Sequence, residues 1–185
     1  FEGCEQLQVL NLENNNITSI PDGTFANNRV LEVLSLYNNH ISTLATMTFA
    51  NTQLWFINLQ HNDLFYFIPD WFLPVNATLK YLNVVANQMY YMPPFSFSNL
   101  RNLEELEIAM NPWEDIPSTA FVGLTNLWFL SMFQCNIQRL IPQWFEDLGA
   151  LHGLHVQNNR ITEVPEGIFE RLIGLNEINL AQNNL

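Results

Sequence analysis

Glu107, Ser131, His155 and Asn179 follow one another at intervals of 24 residues, and a serine beside a histidine with an acid or amide near it is the raw material of nucleophilic acyl transfer. In that chemistry the histidine takes the serine proton, and backbone donors must already surround the oxyanion that forms. Equal spacing instead places the four side chains on successive units of a repeat, about 5 Å apart if the units stack as strands. A column of that kind on an open sheet has no oxyanion hole from a strained turn or helix N-terminus, and nothing to exclude water, so the chain is expected to be a non-enzyme. His152 and His155 lack a third ligand at metal spacing, and His40 and His61 stand alone. No phosphate loop or dinucleotide fingerprint occurs, so neither a metal nor any other cofactor is expected.

The units that must position these residues are plain in the sequence. Seven segments of 23 to 25 residues start at Leu7, Leu31, Leu54, Leu79, Leu103, Leu127 and Leu151, with partial units over 1–6 and 175–185 at the ends. Each approximates L-x-x-L-x-L-x-x-N-x-I-x-x-I-P-x-x-x-F-x-x-L-x-x, as in LQVLNLENNNITSIPDGTFANNRV and LHGLHVQNNRITEVPEGIFERLIG. Strand alternation sends positions four and six inward, from Leu10 and Leu12 to Ile178 and Leu180, and turns positions three, five and seven outward. The stack predicts one parallel sheet over a core that no single unit closes. Position nine reads Asn15, Asn39, Asn62, Asn87, Asn111, Cys135, Asn159 and Asn183. Position nineteen reads Phe1, Phe25, Phe49, Phe72, Phe97, Phe121, Phe145 and Phe169, a spine of rings under the convex side.

On these residues the whole chain resembles the leucine-rich repeat family, in its extracellular class of about 24 residues per repeat; the longer, more helical repeats of the cytosolic ribonuclease-inhibitor class fit less well. The resemblance implies an α/β repeat fold, a single leucine-rich-repeat solenoid over 1–185 with one parallel β-sheet on the concave face and loops or short 3-10 turns on the convex face. It also implies that the position-nine asparagines turn inward to bond loop backbone of their own and adjacent turns, with Cys135 an accepted replacement. Its members include innate-immune receptors, Toll-like ectodomains, adhesion receptors and matrix proteoglycans, and the Asn-rich, aromatic-rich repeats look most like an arthropod innate-immune protein or a Toll-like ectodomain fragment. An extracellular location and a protein partner, or a ligand presented by a protein, follow as expectations.

Composition narrows the partners further. With 48% apolar and 13% charged residues the chain folds, and six Lys+Arg against 18 Asp+Glu give a net charge of -12. That sign repels phosphate backbones and anionic headgroups, so no nucleic acid and no membrane insertion by this segment are expected. The most apolar stretch, Leu64 to Val75, is broken by Pro69, Asp70 and Pro74, too short to span a bilayer. Phe1 begins without signal-peptide features and neither end has a cysteine-rich cap, which predicts a fragment of a longer chain or ends covered by self-association. Cys4 and Cys135 stand about 25 Å apart in the repeat frame, beyond disulfide reach, and both are expected to be buried free thiols. Sequons at Asn16 and Asn76 agree with secretion, Asn76 being the better placed on a convex loop.

Function must therefore lie in the outward positions. The concave columns offer Tyr37, Trp55, Phe56, Tyr81, Trp128, Phe129 and Phe133 as aromatic anchors, with Glu104, Glu105 and Glu107 between two aromatic zones. These rings either meet a partner or lie flat on neighbouring strands, and the carboxylates either pair with a basic group or are solvated. Positions twelve and thirteen carry Phe65 and Tyr66, then Tyr90 and Tyr91, on one flank; a lateral contact, including a homodimer, and inward packing of one ring per pair are the two readings. Trp71, Trp113 and Trp144 read as packing. The function expected is non-enzymatic protein recognition through the concave sheet, with structural self-association or a matrix-scaffold role as the alternative.

Overall fold

Each repeat presents one pair of inward aliphatic side chains and must then turn to bury its asparagine, which leaves room for a strand of only a few residues. In the computed structural model, which describes residues 1–185, eight three-residue strands stack in chain order. They are β1 (Val9–Asn11), β2 (Val33–Ser35), β3 (Phe56–Asn58), β4 (Tyr81–Asn83), β5 (Glu105–Glu107), β6 (Phe129–Ser131), β7 (Gly153–His155) and β8 (Glu177–Asn179). All pairings are parallel and in one register, so Leu10, Leu34, Ile57, Leu82, Leu106, Leu130, Leu154 and Ile178 form one row. The expected solenoid is present. Two 3-10 turns, Pro69–Val75 and Pro142–Phe145, are the only helical elements, each opening on a proline whose missing N–H costs nothing in a first turn.

Position eight closes each strand. Asn14, Asn38, His61, Ala86, Met110, Gln134, Asn158 and Gln182 all sit in the left-handed region, with φ between 53° and 57°. In every turn but the last this residue donates its N–H to the position-seven carbonyl of the next turn, as Asn38 does to Gln60 at 2.9 Å. Asparagine tolerates that backbone, but alanine and methionine do so at a cost of about 1 kcal/mol each. The turn is therefore held by its neighbours rather than by local preference.

The turn delivers position nine to the interior. Asn62 shows the pattern: Nδ2 donates to the Leu59 carbonyl of its own turn and to the Leu36 carbonyl of the turn before, both at 3.0 Å, while Oδ1 accepts from Ile41 N–H at 2.9 Å. Asn39, Asn87, Asn111, Asn159 and Asn183 repeat it. Asn15 bonds only its own turn. Cys135 follows suit with its thiol, reaching the Ile108 and Phe133 carbonyls at 3.5 Å, and burial pushes its pKa up to about 12.

Behind the sheet the phenylalanines stack, with Phe97 and Phe121 at 6.1 Å and Phe49 and Phe72 at 6.0 Å. Phe67 inserts between Phe72 and Phe97, at 5.7 and 4.7 Å, and Trp144 meets Phe121 edge-on, so the spine is thicker than its column. Trp71, Trp113 and Trp144 are buried, as expected. The end turns are looser because each has one neighbour: Leu10 and Leu12 are half-buried, Phe1 and Ile178 exposed. The same cause corrects the expectation for Cys4. It is exposed on the first turn, and only Cys135 is a buried thiol.

Asn62→Ala strands one buried donor and weakens two acceptors, and is expected to cost about 3 kcal/mol, whereas Asn15→Ala at the exposed end costs under about 1 kcal/mol. Urea unfolding of the two variants checks this; equal costs would remove the asparagine column from its structural role.

Candidate recognition surface

The outward column at position three runs Val9, Val33, Phe56, Tyr81, Glu105, Phe129, Gly153 and Glu177. Phe56 and Tyr81 stack at 4.4 Å with their planes 5° apart, a cross-strand pair that stabilises β3 against β4. Phe129 leans the other way, over Gly153, where a Cβ would come within 2.7 Å of Phe129 Cδ2, and it meets the His155 ring edge-on at 4.9 Å. These three rings lie on the sheet and are half-buried, as are Tyr37 and Phe133. The tryptophans beside them do not lie down. Trp55 meets Phe56 edge-on and Trp128 meets Phe129 at a tilt, yet the two tryptophans remain 40% and 43% exposed.

The outward face is drier than its alternation implied. Ser35, Asn83, Val85, Ala109 and Ser131 face the concave side but are buried, with Ser35 bonded to Glu13 and Asn83 to Tyr81 and Glu107. Ser131 and His155 do stand opposite each other on β6 and β7, but His155 Nε2 is bonded to Glu177 Oε1 at 2.7 Å and makes no hydrogen bond to Ser131. No three His, Cys, Asp or Glu side chains converge on a point that would hold a metal ion.

Glutamates dominate the charge of this face: Glu13, Glu32, Glu104, Glu105, Glu107 and Glu177 stand at outward positions with Lys80 the one lysine among them. The three on the fifth repeat have different surroundings. Glu104 pairs with Lys80 at 2.7 Å in the open. Glu107 Oε1 accepts from the Tyr81 hydroxyl at 2.6 Å and from Asn83 Nδ2 at 3.2 Å. Burial, and then that hydrogen bond, raise the Tyr81 phenol well above its ordinary range. The Glu105 carboxylate has no hydrogen-bond or ion-pair partner, and burial followed by repulsion from Glu107 and Glu104 raises its pKa.

On the flank, Phe65, Tyr66 and Tyr91 are exposed and Tyr90 is half-buried. The Tyr90 hydroxyl donates to that of Tyr66 at 2.9 Å, and single parallel bridges join Tyr66 to Tyr91 and Tyr91 to Asp115. A hollow of about 330 Å³ lies beside them, lined by Ser42, Thr43, Phe65, Tyr66, Ile68 and Trp71. Of the sequon asparagines, Asn16 is exposed, whereas Asn76 is half-buried at the end of the Pro69–Val75 turn, with the Thr78 hydroxyl held by the Leu54 carbonyl at 2.8 Å.

One feature of the flank was not anticipated from the sequence. Position ten normally donates its N–H to the position-eleven carbonyl of the turn before, as Asp63 does to Ile41 and Arg160 to Ile137. Pro112 has no N–H to give, Asn136 sits at φ 59° and makes no such bond, and Cys135 supplies no amide oxygen for Trp113 N–H. A hollow of about 360 Å³ opens there, between Trp113, Ile116, Cys135, Ile137, Ile141 and Trp144. The signal was available in Pro112 and in the missing asparagine at 135.

Single-strand turns stacked on an inward amide column, with the variable side chains on the concave sheet, define a repeat solenoid of the recognition type. The chain belongs to the leucine-rich repeat family, in its extracellular class: the family profile, described as Leucine rich repeat, matches residues 5–64 and 77–137. It is 28% identical to podocan of Mus musculus over 98% of this chain and 25% of podocan, and 32% identical to decorin of Bos taurus over 96% of this chain and 48% of decorin. A solved TLR13–ssRNA13 complex superposes on 96% of this chain and 25% of the receptor chain with a TM-score of 0.88 and 26% identity. The chain thus spans a quarter to a half of the length of these relatives.

The raised pKa of Glu105 has a consequence for stability. The folded state holds this proton more tightly than the unfolded chain does, so the group's contribution falls as pH rises through its ordinary value of 4.5 towards the raised one. Glu105→Gln is expected to raise Tm at about pH 7 and to leave it unchanged at about pH 3. Thermal scans at the two pH values decide the matter, and a Tm lowered at neutral pH would show the carboxylate to be favourably placed.

Proposed function

We propose that this chain is a non-enzymatic extracellular recognition module that binds a protein, or a ligand presented by one, through its concave sheet. The observation that carries the reading is the pair Trp55 and Trp128. They hold large apolar area towards solvent on a face where the neighbouring rings have packed down, and tryptophan is the residue type that most often dominates an interface. Phe56, Tyr81 and Phe129 then serve as a rigid floor, with Tyr37 and Phe133 at the edges, and Glu104, Glu105 and Glu107 give the surface its sign. Nucleic acid is disfavoured by that sign, although the TLR13 fold carries ssRNA in its solved complex. The likeness to TLR13 supports an innate-immune setting, and the likeness to podocan and decorin supports the matrix-scaffold alternative; the same sheet serves both.

A second reading rests on the flank, where Phe65, Tyr66 and Tyr91 expose a continuous aromatic patch. There a second copy of the chain is the partner, and Phe65→Ser with Tyr91→Ser is expected to shift the mass in light scattering from dimer to monomer. A wild type that stays monomeric across the concentration series would remove this reading.

The principal reading is tested by panning a displayed random-peptide library on the whole chain and rebinding the enriched peptides to a Trp55→Ser, Trp128→Ser variant. Loss of at least about tenfold in affinity is expected, the effect of removing interface anchors. Peptides that bind both forms alike would place recognition elsewhere.

A further inference from the structure

Glu105 stands in register between two aromatic residues, Tyr81 on β4 and Phe129 on β6. Tyr81 on β4 stacks one face on Phe56 of β3 while its hydroxyl reaches Glu107 on β5, and Phe129 on β6 leans over β7 because Gly153 offers no side chain to stop it. The two rings thus flank Glu105, and the strands that carry them are about 9.5 Å apart, two sheet spacings, with β5 between them. Of the three carboxylates on this repeat, Glu104 is answered by Lys80 and Glu107 by Tyr81, while Glu105 is answered by nothing in the chain. An acidic floor between aromatic walls is complementary to a flat cation.

Resting on the concave reading, we propose that the partner is a protein segment presenting an arginine, whose guanidinium seats on the Glu105 carboxylate between Tyr81 and Phe129. A guanidinium is planar, weakly hydrated and stacks on aromatic rings, so it uses both floor and walls. A lysine ammonium is compact and strongly hydrated, and it would use the floor alone. The Glu104–Lys80 pair beside Glu105 sets the direction of approach, since a segment carrying a second cation next to its arginine meets Lys80 on the β4 side and no cation among the outward residues of β6.

The experiment uses fluorescein-labelled hexaarginine, hexalysine and hexacitrulline amides, titrated by anisotropy into the whole chain, its Glu105→Gln variant and its Glu166→Gln variant. Glu166 is exposed and lies outside the sheet, so it removes the same charge from elsewhere. Hexaarginine is expected to bind about threefold more tightly than hexalysine, hexacitrulline not at all, and Glu105→Gln to weaken hexaarginine about tenfold while Glu166→Gln changes it less than about twofold. Equal losses from the two glutamine variants would reduce the binding to the net charge of the chain and overturn the seat, as would equal affinity for lysine and arginine. Circular dichroism confirms that each variant keeps its fold. If peptides selected through Trp55 and Trp128 carry no basic residue, the arginine seat falls and the concave surface stands. If hexaarginine requires Glu105 while the selected peptides ignore the tryptophans, the seat stands and the wider recognition surface falls.

Discussion

A buried carboxamide has two donors and an acceptor to satisfy, and in this molecule it can do so only by spanning two turns at once. That requirement organises everything else. Each inward asparagine ties the end of its own strand to the end of the one before and accepts an N–H from the preceding loop, as Asn62 does with Leu59, Leu36 and Ile41. To bring the amide inside, the residue before it must adopt a left-handed backbone, which alanine and methionine accept here only because the neighbouring turn receives their N–H. Short strands, identical register and a continuous core are then consequences, since a slip by one residue would expel every amide from its place.

With the interior so committed, the concave face is left with the side chains the frame does not need, and packing has already claimed part of it. Cross-strand stacking lays down Phe56 and Tyr81, and a glycine lets Phe129 recline, so rings that look equivalent in the sequence differ in what they offer a partner. The same holds for charge. Three glutamates within four residues become an ion pair, a hydrogen-bonded acceptor and an unanswered acid, because their neighbours in space are Lys80, Tyr81 and the gap between two aromatic pairs. Selectivity arises from these differences between neighbours rather than from composition.

How far this was legible from the residues follows from the same division. Positions tied to the frame repeat seven times, so Leu34, Asn62 and Phe97 could be placed by counting, and the solenoid, its parallel sheet and both ladders with them. The outward positions occur once each, and their fate depends on the side chain one strand away. That Trp128 stands while Phe129 lies down turns on Gly153, twenty-four residues on, and no local pattern carries it. The burial of Ser131 and Val85 and the insertion of Phe67 into the spine were hidden for the same reason. Cys4 was misplaced because counting assigns every turn two neighbours, and the first has one.

The hollow beside Cys135 marks where the lattice of bonds between turns is thinnest. At Pro112 a donor is absent, at Asn136 it makes no bond to the turn before, and at Cys135 a thiol stands where other turns have an amide oxygen, all within two successive turns. In a linear array whose cohesion is the sum of contacts between neighbours, such a run of omissions acts as a seam. Fewer hydrogen bonds hold these two turns to each other than hold their neighbours, as earlier amide exchange around Trp113 than around Ile41 would register.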